Sequence, residues 1–180
     1  TIVWMAEFND SKRVVEVTKS LAQYFRLALN QGHEQISLRD EIDHVRQYLF
    51  IQKQRYGDKL QYEIEEDESI ADYKLPKLVL QPLVENAIYH GIKEIDRQGM
   101  IRVTSAAEER QLILYIYDNG RGFDVNASMD ATLLRLGGVG LKNVDQRLRL
   151  QFGDDYHMEI QSEPDKFTQI SLYLPLVTDD

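Results

Sequence analysis

The chain has no cysteine, which excludes disulfides and thiolate metal sites and is compatible with a reducing compartment. Positive charge is in deficit: 21 lysines and arginines stand against 30 acidic residues, a net charge of −9. Such a surface repels phosphate backbones and disfavours nucleic acid or an anionic membrane as the main partner. No apolar run approaches the roughly 20 residues that cross a bilayer, and Thr1-Ile2-Val3-Trp4-Met5-Ala6 lacks the charged start of a signal peptide. Internal repeats and low-complexity segments are missing too. What remains, 43% hydrophobic and 28% charged over 180 residues, suits one compact catalytic domain with a smaller helical appendage.

The appendage comes first. Residues 1 to 8 read as the end of a helix, and Asn9-Asp10-Ser11 as a break with a new N-cap. Val14, Val17, Leu21, Tyr24, Phe25 and Ala28 then recur at helical steps to about Asn30, a stripe suited to a partner helix. Ser37 and Asp40 form a capping-box signature, and Leu38, Ile42, Val45, Leu49 and Gln52 carry a further helix to Tyr56-Gly57. The two helices are expected to pair as a hairpin, and self-association into a four-helix dimer is the economical way to bury their stripes.

After Gly57 the texture changes, which sets the expected division: a helical hairpin over 1–57 and a mixed domain over 58–180. Leu60, Tyr62 and Ile64 alternate as in a strand, and Pro76 is expected to open a helix carrying Asn86, with Pro82 either kinking it or marking its first turn. Strands are expected near 99–106, 111–118, 158–162 and 168–174, with a helix from about Gly140 to Phe152. This mixture implies an α+β fold, a two-layer α/β sandwich.

Three short segments carry chemistry. In Leu80-Gln81-Pro82-Leu83-Val84-Glu85-Asn86-Ala87-Ile88-Tyr89-His90-Gly91, a helix would place Asn86, His90 and Lys93 on one face. A buried amide such as Asn86 costs free energy unless a ligand or hydrated metal bonds to it. In Asp118-Asn119-Gly120-Arg121-Gly122-Phe123, a carboxylate ends a strand and Gly120 and Gly122 permit a tight return beside a flat base, although Asp-Asn-Gly alone is equally a hairpin turn. Gly137-Gly138-Val139-Gly140 precedes a helix whose amides can face phosphate, with Lys142 adding charge; alone, such a turn is more often an ordinary loop.

In this order and at these spacings the segments resemble the N, G1 and G2 boxes of the GHKL (Bergerat) ATPase superfamily of histidine kinases, gyrase-type topoisomerases, Hsp90 chaperones and MutL proteins. Leu80 to Ala87, Gly140-Leu141-Lys142-Asn143-Val144, Gln146-Arg147-Leu148, Ser37 to Ile42 and Tyr48 to Gly57 are similar to the LytS/YesM group of bacterial sensor histidine kinases. The resemblance implies ATP and Mg²⁺ as ligands. Asp118 would recognise adenine, with Gly120, Gly122, Gly138, Gly140, Leu141 and Lys142 completing the ATP site. Asn86 would hold Mg²⁺ and Glu85 assist proton removal. The stretch from Asp124 to Leu136 would be a lid anchored by Met129, Leu133 and Leu134, with Arg135 reaching the phosphates or only keeping the lid soluble. Tyr89 stands where many relatives carry a phosphate-contacting lysine, and His90 or Lys93 is expected to supply that charge.

The acceptor motif of that group, Pro-His-Phe-Leu-Tyr/Phe-Asn, is absent. His33 reads as a loop residue, His44 as a surface or interface residue and His157 as part of a strand. The resemblance therefore implies a catalytic and partly dimerising cytoplasmic portion of a membrane-anchored kinase. It would transfer the ATP γ-phosphoryl to an upstream histidine, form a homodimer in the full-length protein and serve a cognate response regulator. An ATP-driven clamp, or a non-catalytic nucleotide-sensing or interaction module of the same fold, is the alternative. The module would have lost Asn86 or Glu85, and both are present.

Overall fold

A computed structural model describes residues 2–7, 10–29, 34–125 and 139–176. The expected lid from 126 to 136, with Met129, Leu133, Leu134 and Arg135, lies outside those residues, as do Gly137, Gly138 and His33. The helical part begins with α1 (Ile2–Glu7) and α2 (Ser11–Ala28). Asp10 caps α2 by accepting the Arg13 N–H at 3.2 Å, and the helix stops two residues before the expected end, the Leu29 N–H returning to the Phe25 carbonyl. In α3 (Leu38–Tyr56) the Ser37 hydroxyl accepts the Asp40 N–H at 3.1 Å and donates to the Asp40 carboxylate at 2.8 Å, as the capping signature implied.

Two short strands were not foreseen. β1 (Gln35–Ser37) pairs antiparallel with β3 (Lys74–Pro76), Ile36 opposite Leu75. Three residues are too few to show a period, so no alternation signals them. Pro76 consequently ends a strand and does not open the helix. That helix, α4 (Leu80–Asn86), starts four residues later, and Pro82 falls in its first turn, where a missing N–H costs nothing.

The main sheet runs β2 (Leu60–Glu65), β4 (Gly99–Glu108), β5 (Gln111–Asp118), β7 (Phe167–Pro175), β6 (His157–Glu163), with the first pair parallel and the rest antiparallel. Its strands alternate as half-buried strands should. Ile101, Val103, Leu112, Leu114, Ile116, Ile170 and Leu172 point into the core, while Arg102, Thr104, Tyr115 and Tyr117 belong to the other face. The covering layer consists of α3, α4 and α5 (Val139–Phe152), through Ile42, Val45 and Leu49, Leu80, Leu83 and Val84, and Leu141, Val144 and Leu148. This is the two-layer sandwich. Helix α3 thus shares one core with the sheet.

Of the two places expected for His44, surface or interface, it takes the second, between α3 and α2. It is 1% exposed, its ring centroid 4.5 Å from that of Tyr24, and burial lowers its pKa. A histidine flanked by Asp43 reads as surface as readily as interface until α2 is known to lie over it.

Candidate functional site

The period-2 pattern that buries Leu112, Leu114 and Ile116 also carries Asp118, at the end of β5, to the helix side of the sheet. Asp118 is 5% exposed, and its Oδ1 accepts the Gly120 N–H at 2.9 Å. Burial pushes its carboxyl up to about 7, opposed by that N–H and by the Arg97 guanidinium. A buried carboxylate with one backbone donor retains acceptor capacity for a ligand amine.

The turn after Asp118 is packed against the end of the α4 segment. The Arg121 N–H bonds to the Gly91 carbonyl, and Arg97 braces the turn by donating to the Gly120 carbonyl at 3.2 Å and the Asp165 carbonyl at 3.0 Å. A side chain at Gly120 would overlap the Gly91 backbone, and Gly122 has a φ of +55° with the Glu163 carbonyl where its Cβ would be. Both positions therefore require glycine, for close approach and for backbone hand respectively.

Beyond Asn86 the helix changes type. Ala87–Gly91 forms a π turn and Ile92–Glu94 a 3₁₀ turn, so the regular 100° spacing that placed Asn86, His90 and Lys93 on one face does not persist. Asn86 and His90 line a cavity of about 520 Å³ with Asp118 and Gly122, whereas Lys93 is exposed, its ammonium 5.9 Å from the Tyr89 ring. The Asn86 Nδ2 is buried and has no hydrogen-bond partner among the described residues. An amide so placed is poised for a ligand, and its oxygen and nitrogen exchange places by one torsional turn.

Glu85 faces away from this cavity, its Oε1 accepting from the Gln81 Nε2 at 2.6 Å. At α5, Leu141 is wholly buried in the core, Gly140 lies against Pro82 and Lys142 is exposed. None of these five residues, Lys93 included, lines the cavity as the described residues define it, and neither does Gly120, which instead packs behind Asp118.

Sequence reasoning missed much of the wall. Ile116, Thr168 and Ile170 contribute because β5 and β7 pair with Asp118 opposite Thr168, a register no local pattern reveals. Pro164 and Asp165 come from the turn before β7, and Arg121 pairs with Glu94 at the rim. A second missed residue acts behind the site. Glu41 of α3, fully buried, accepts N–H bonds from Leu78, Val79 and Leu80, so it caps α4 in place of a local side chain. Burial raises the Glu41 pKa, opposed by those three N–H groups and by Arg147.

Among the described residues no group of three or more histidines, aspartates and glutamates could hold a metal, and no helix is long and apolar enough to cross a membrane. Residues 71–178 match the family described as histidine kinase-, DNA gyrase B-, and HSP90-like ATPase, and residues 1–60 match the histidine kinase family. The sensor histidine kinase BtsS of Escherichia coli K12 is 37% identical over 167 residues, covering 93% of this chain and 28% of that protein. YesM of Bacillus subtilis 168, also a sensor histidine kinase, is 31% identical over 175 residues, 97% of this chain and 30% of its own length. The chain therefore spans less than a third of these relatives. In fold it is similar to the histidine kinase domain of the Erythrobacter litoralis EL346 blue-light activated kinase, with a TM-score of 0.60, 14% identity, and coverage of 95% of this chain and 83% of that one. The Acinetobacter baumannii histidine kinase AdeS matches at a TM-score of 0.60 and 14% identity, over 99% and 86%. With the fold, the buried aspartate and the unpartnered amide in one cavity, these matches lead to one conclusion: the chain belongs to the histidine kinase-, DNA gyrase B- and HSP90-like ATPase family.

Proposed function

We propose that this chain is the ATP-binding kinase portion of a bacterial two-component sensor histidine kinase, with 1–57 its helical, partly dimerising part, whose α3 packs into the core of the catalytic domain over 58–180. In this reading the γ-phosphoryl goes to a histidine upstream of Thr1 and from there to a cognate response regulator. The observation that carries the reading is the cavity with Asp118 at one place on its wall and half-buried Asn86, its Nδ2 without a partner among the described residues, at another. Asp118 accepts the adenine amino hydrogen, and the Gly120 and Gly122 turn leaves room for the base. Asn86 holds Mg²⁺ through its amide oxygen, and His90 on the cavity wall is better placed than Lys93 to meet phosphate. Magnesium, when bound, neutralises phosphate charge and fixes its geometry. By the family resemblance Gly138, Gly140, Leu141 and Lys142 belong to the phosphate side of the site, Leu141 by anchoring the start of α5 in the core rather than by touching the nucleotide. Glu85, on the side of α4 turned to the α2 and α3 helices, receives the proton of the attacking imidazole.

The test uses the kinase that carries this chain together with its phosphoacceptor. With γ-labelled ATP the label should be acid-labile and base-stable and should lie upstream of this chain. Asn86→Ala should lower the rate by about 10²-fold, the order found when one electrostatic stabiliser is removed, with the fold intact. Labelling by Asn86→Ala at the unmutated rate, with the same Mg²⁺ dependence, would return Asn86 to a packing role and remove the reading.

A further inference from the structure

Gln81 stands one turn before Glu85 on α4, and its Nε2 donates both to the Tyr24 hydroxyl of α2 and to the Glu85 Oε1, each at 2.6 Å. A primary amide nitrogen has two N–H groups, so both bonds are made at once. Tyr24 is itself held in place, its ring centroid 4.5 Å from His44 and 6.1 Å from Tyr48 on α3. Burial pushes the Tyr24 phenol up, the Gln81 N–H opposing and the Glu85 charge adding, so its hydroxyl stays neutral at neutral pH and serves Gln81 as an acceptor.

A glutamate with three free side-chain torsions is a poor proton acceptor unless something fixes its carboxylate, because positioning supplies much of the rate in a transfer reaction. Glu85 is only half-buried, and packing alone does not fix its head group. We propose that Gln81 is a positioning residue for Glu85, anchored by Tyr24, so that the aim of the proton-accepting carboxylate depends on Tyr24 reaching from α2 to α4. The inference rests on the kinase reading above and goes beyond it by tying a helix outside the nucleotide cavity to the chemistry. The Gln81–Glu85 bond alone is an ordinary i, i+4 pair of one helix; the Tyr24 bond on the same nitrogen is what holds that pair in one place.

Two measurements test it. In this chain, the paired Gln81 side-chain amide resonances of the ¹⁵N-labelled protein should shift on Tyr24→Phe and, separately, on Glu85→Gln. If neither substitution moves them, the bridge does not exist and the proposal fails. In the kinase with its phosphoacceptor, Gln81→Met should lower kcat for self-phosphorylation about tenfold with KM for ATP within about twofold, and Tyr24→Phe should lower kcat about threefold. An unchanged kcat in Gln81→Met, or a loss confined to KM, overturns the positioning role. Absence of any transfer in the unmutated kinase would remove the kinase reading and the positioning role with it. Normal transfer without the amide signature would remove the positioning role alone.

Discussion

Asp118 shows what a buried carboxyl in the cavity wall costs the fold. Its pKa is displaced from 3.8 to about 7 by burial, so between those values the folded protein keeps a proton that the unfolded chain releases. The stability contribution is therefore fully present below about pH 4 and is lost as pH rises through about 7, a change on the order of 4 kcal/mol. Asp118→Asn cannot ionise and keeps an oxygen for the Gly120 N–H, so it should resist urea better than the unmutated protein at pH 8 and equally well near pH 4. Binding runs the other way. An adenine amine favours the charged acceptor, so ATP affinity measured by calorimetry should weaken up to about tenfold per pH unit below 7, and Asp118→Asn should show weaker binding without that slope. A flat profile in the unmutated protein would mean that the base does not meet this carboxylate. Asp118 was legible in the sequence because strand alternation and the glycine turn both point to it. Thr168 was not, because its place in the wall depends on which strand pairs with β5, and Lys93 was misplaced by assuming one helix type through the π turn.

At the scale of elements, α4 depends on α3 for its start. Val79 provides no capping side chain, Leu78 sits at a φ of +59°, costly for a residue with a Cβ, and Glu41 offsets both by gathering three N–H groups. Arg147 of α5 adds a bond to the Lys77 carbonyl at 2.8 Å, so three helices meet at this turn. Glu41→Ala should strand those donors and lower stability by about 3 kcal/mol in urea denaturation, while Glu41→Gln, which keeps one good acceptor, should lose about half as much. Equal stability of Glu41→Ala would show that water caps α4 instead. The long elements were legible from their periods and caps: α3 from Ser37 and its stripe, β5 from its apolar run. The cap from Glu41 was not, since an acidic residue in the first turn of α3 reads as an ordinary dipole partner of its own helix. The β1 and β3 pairing, which brings residues 35 and 76 side by side, and the bonds of the Leu38 and Arg39 N–H groups to the Tyr73 and Ala71 carbonyls place it over α4.

Across the described residues, an apolar line on α2 is left uncovered. Val15, Ala22 and Leu29 recur at seven-residue steps and are all exposed, with Phe25 beside them at 52% and Leu29 at 77%. Seven-residue spacing keeps such residues in one line along a helix, the geometry of a seam with another helix. The opposite side of α2 is already committed, Val17 being buried and Tyr24 bonded to Gln81, so the seam faces outward from the catalytic layer. A second copy of the chain would cover it, giving a four-helix arrangement through this seam, since the expected stripe has Val17 and Tyr24 turned inward. We expect the chain to sediment as a dimer at tens of micromolar, and Val15→Glu with Leu29→Glu to sediment as a monomer, because two buried charges facing their symmetry mates cannot be desolvated together. ATP affinity should be unchanged in that variant, since neither residue lines the cavity or touches Gln81. A chain that sediments as a monomer throughout, or a double variant that stays dimeric, would place the seam against another partner or the dimer on another face.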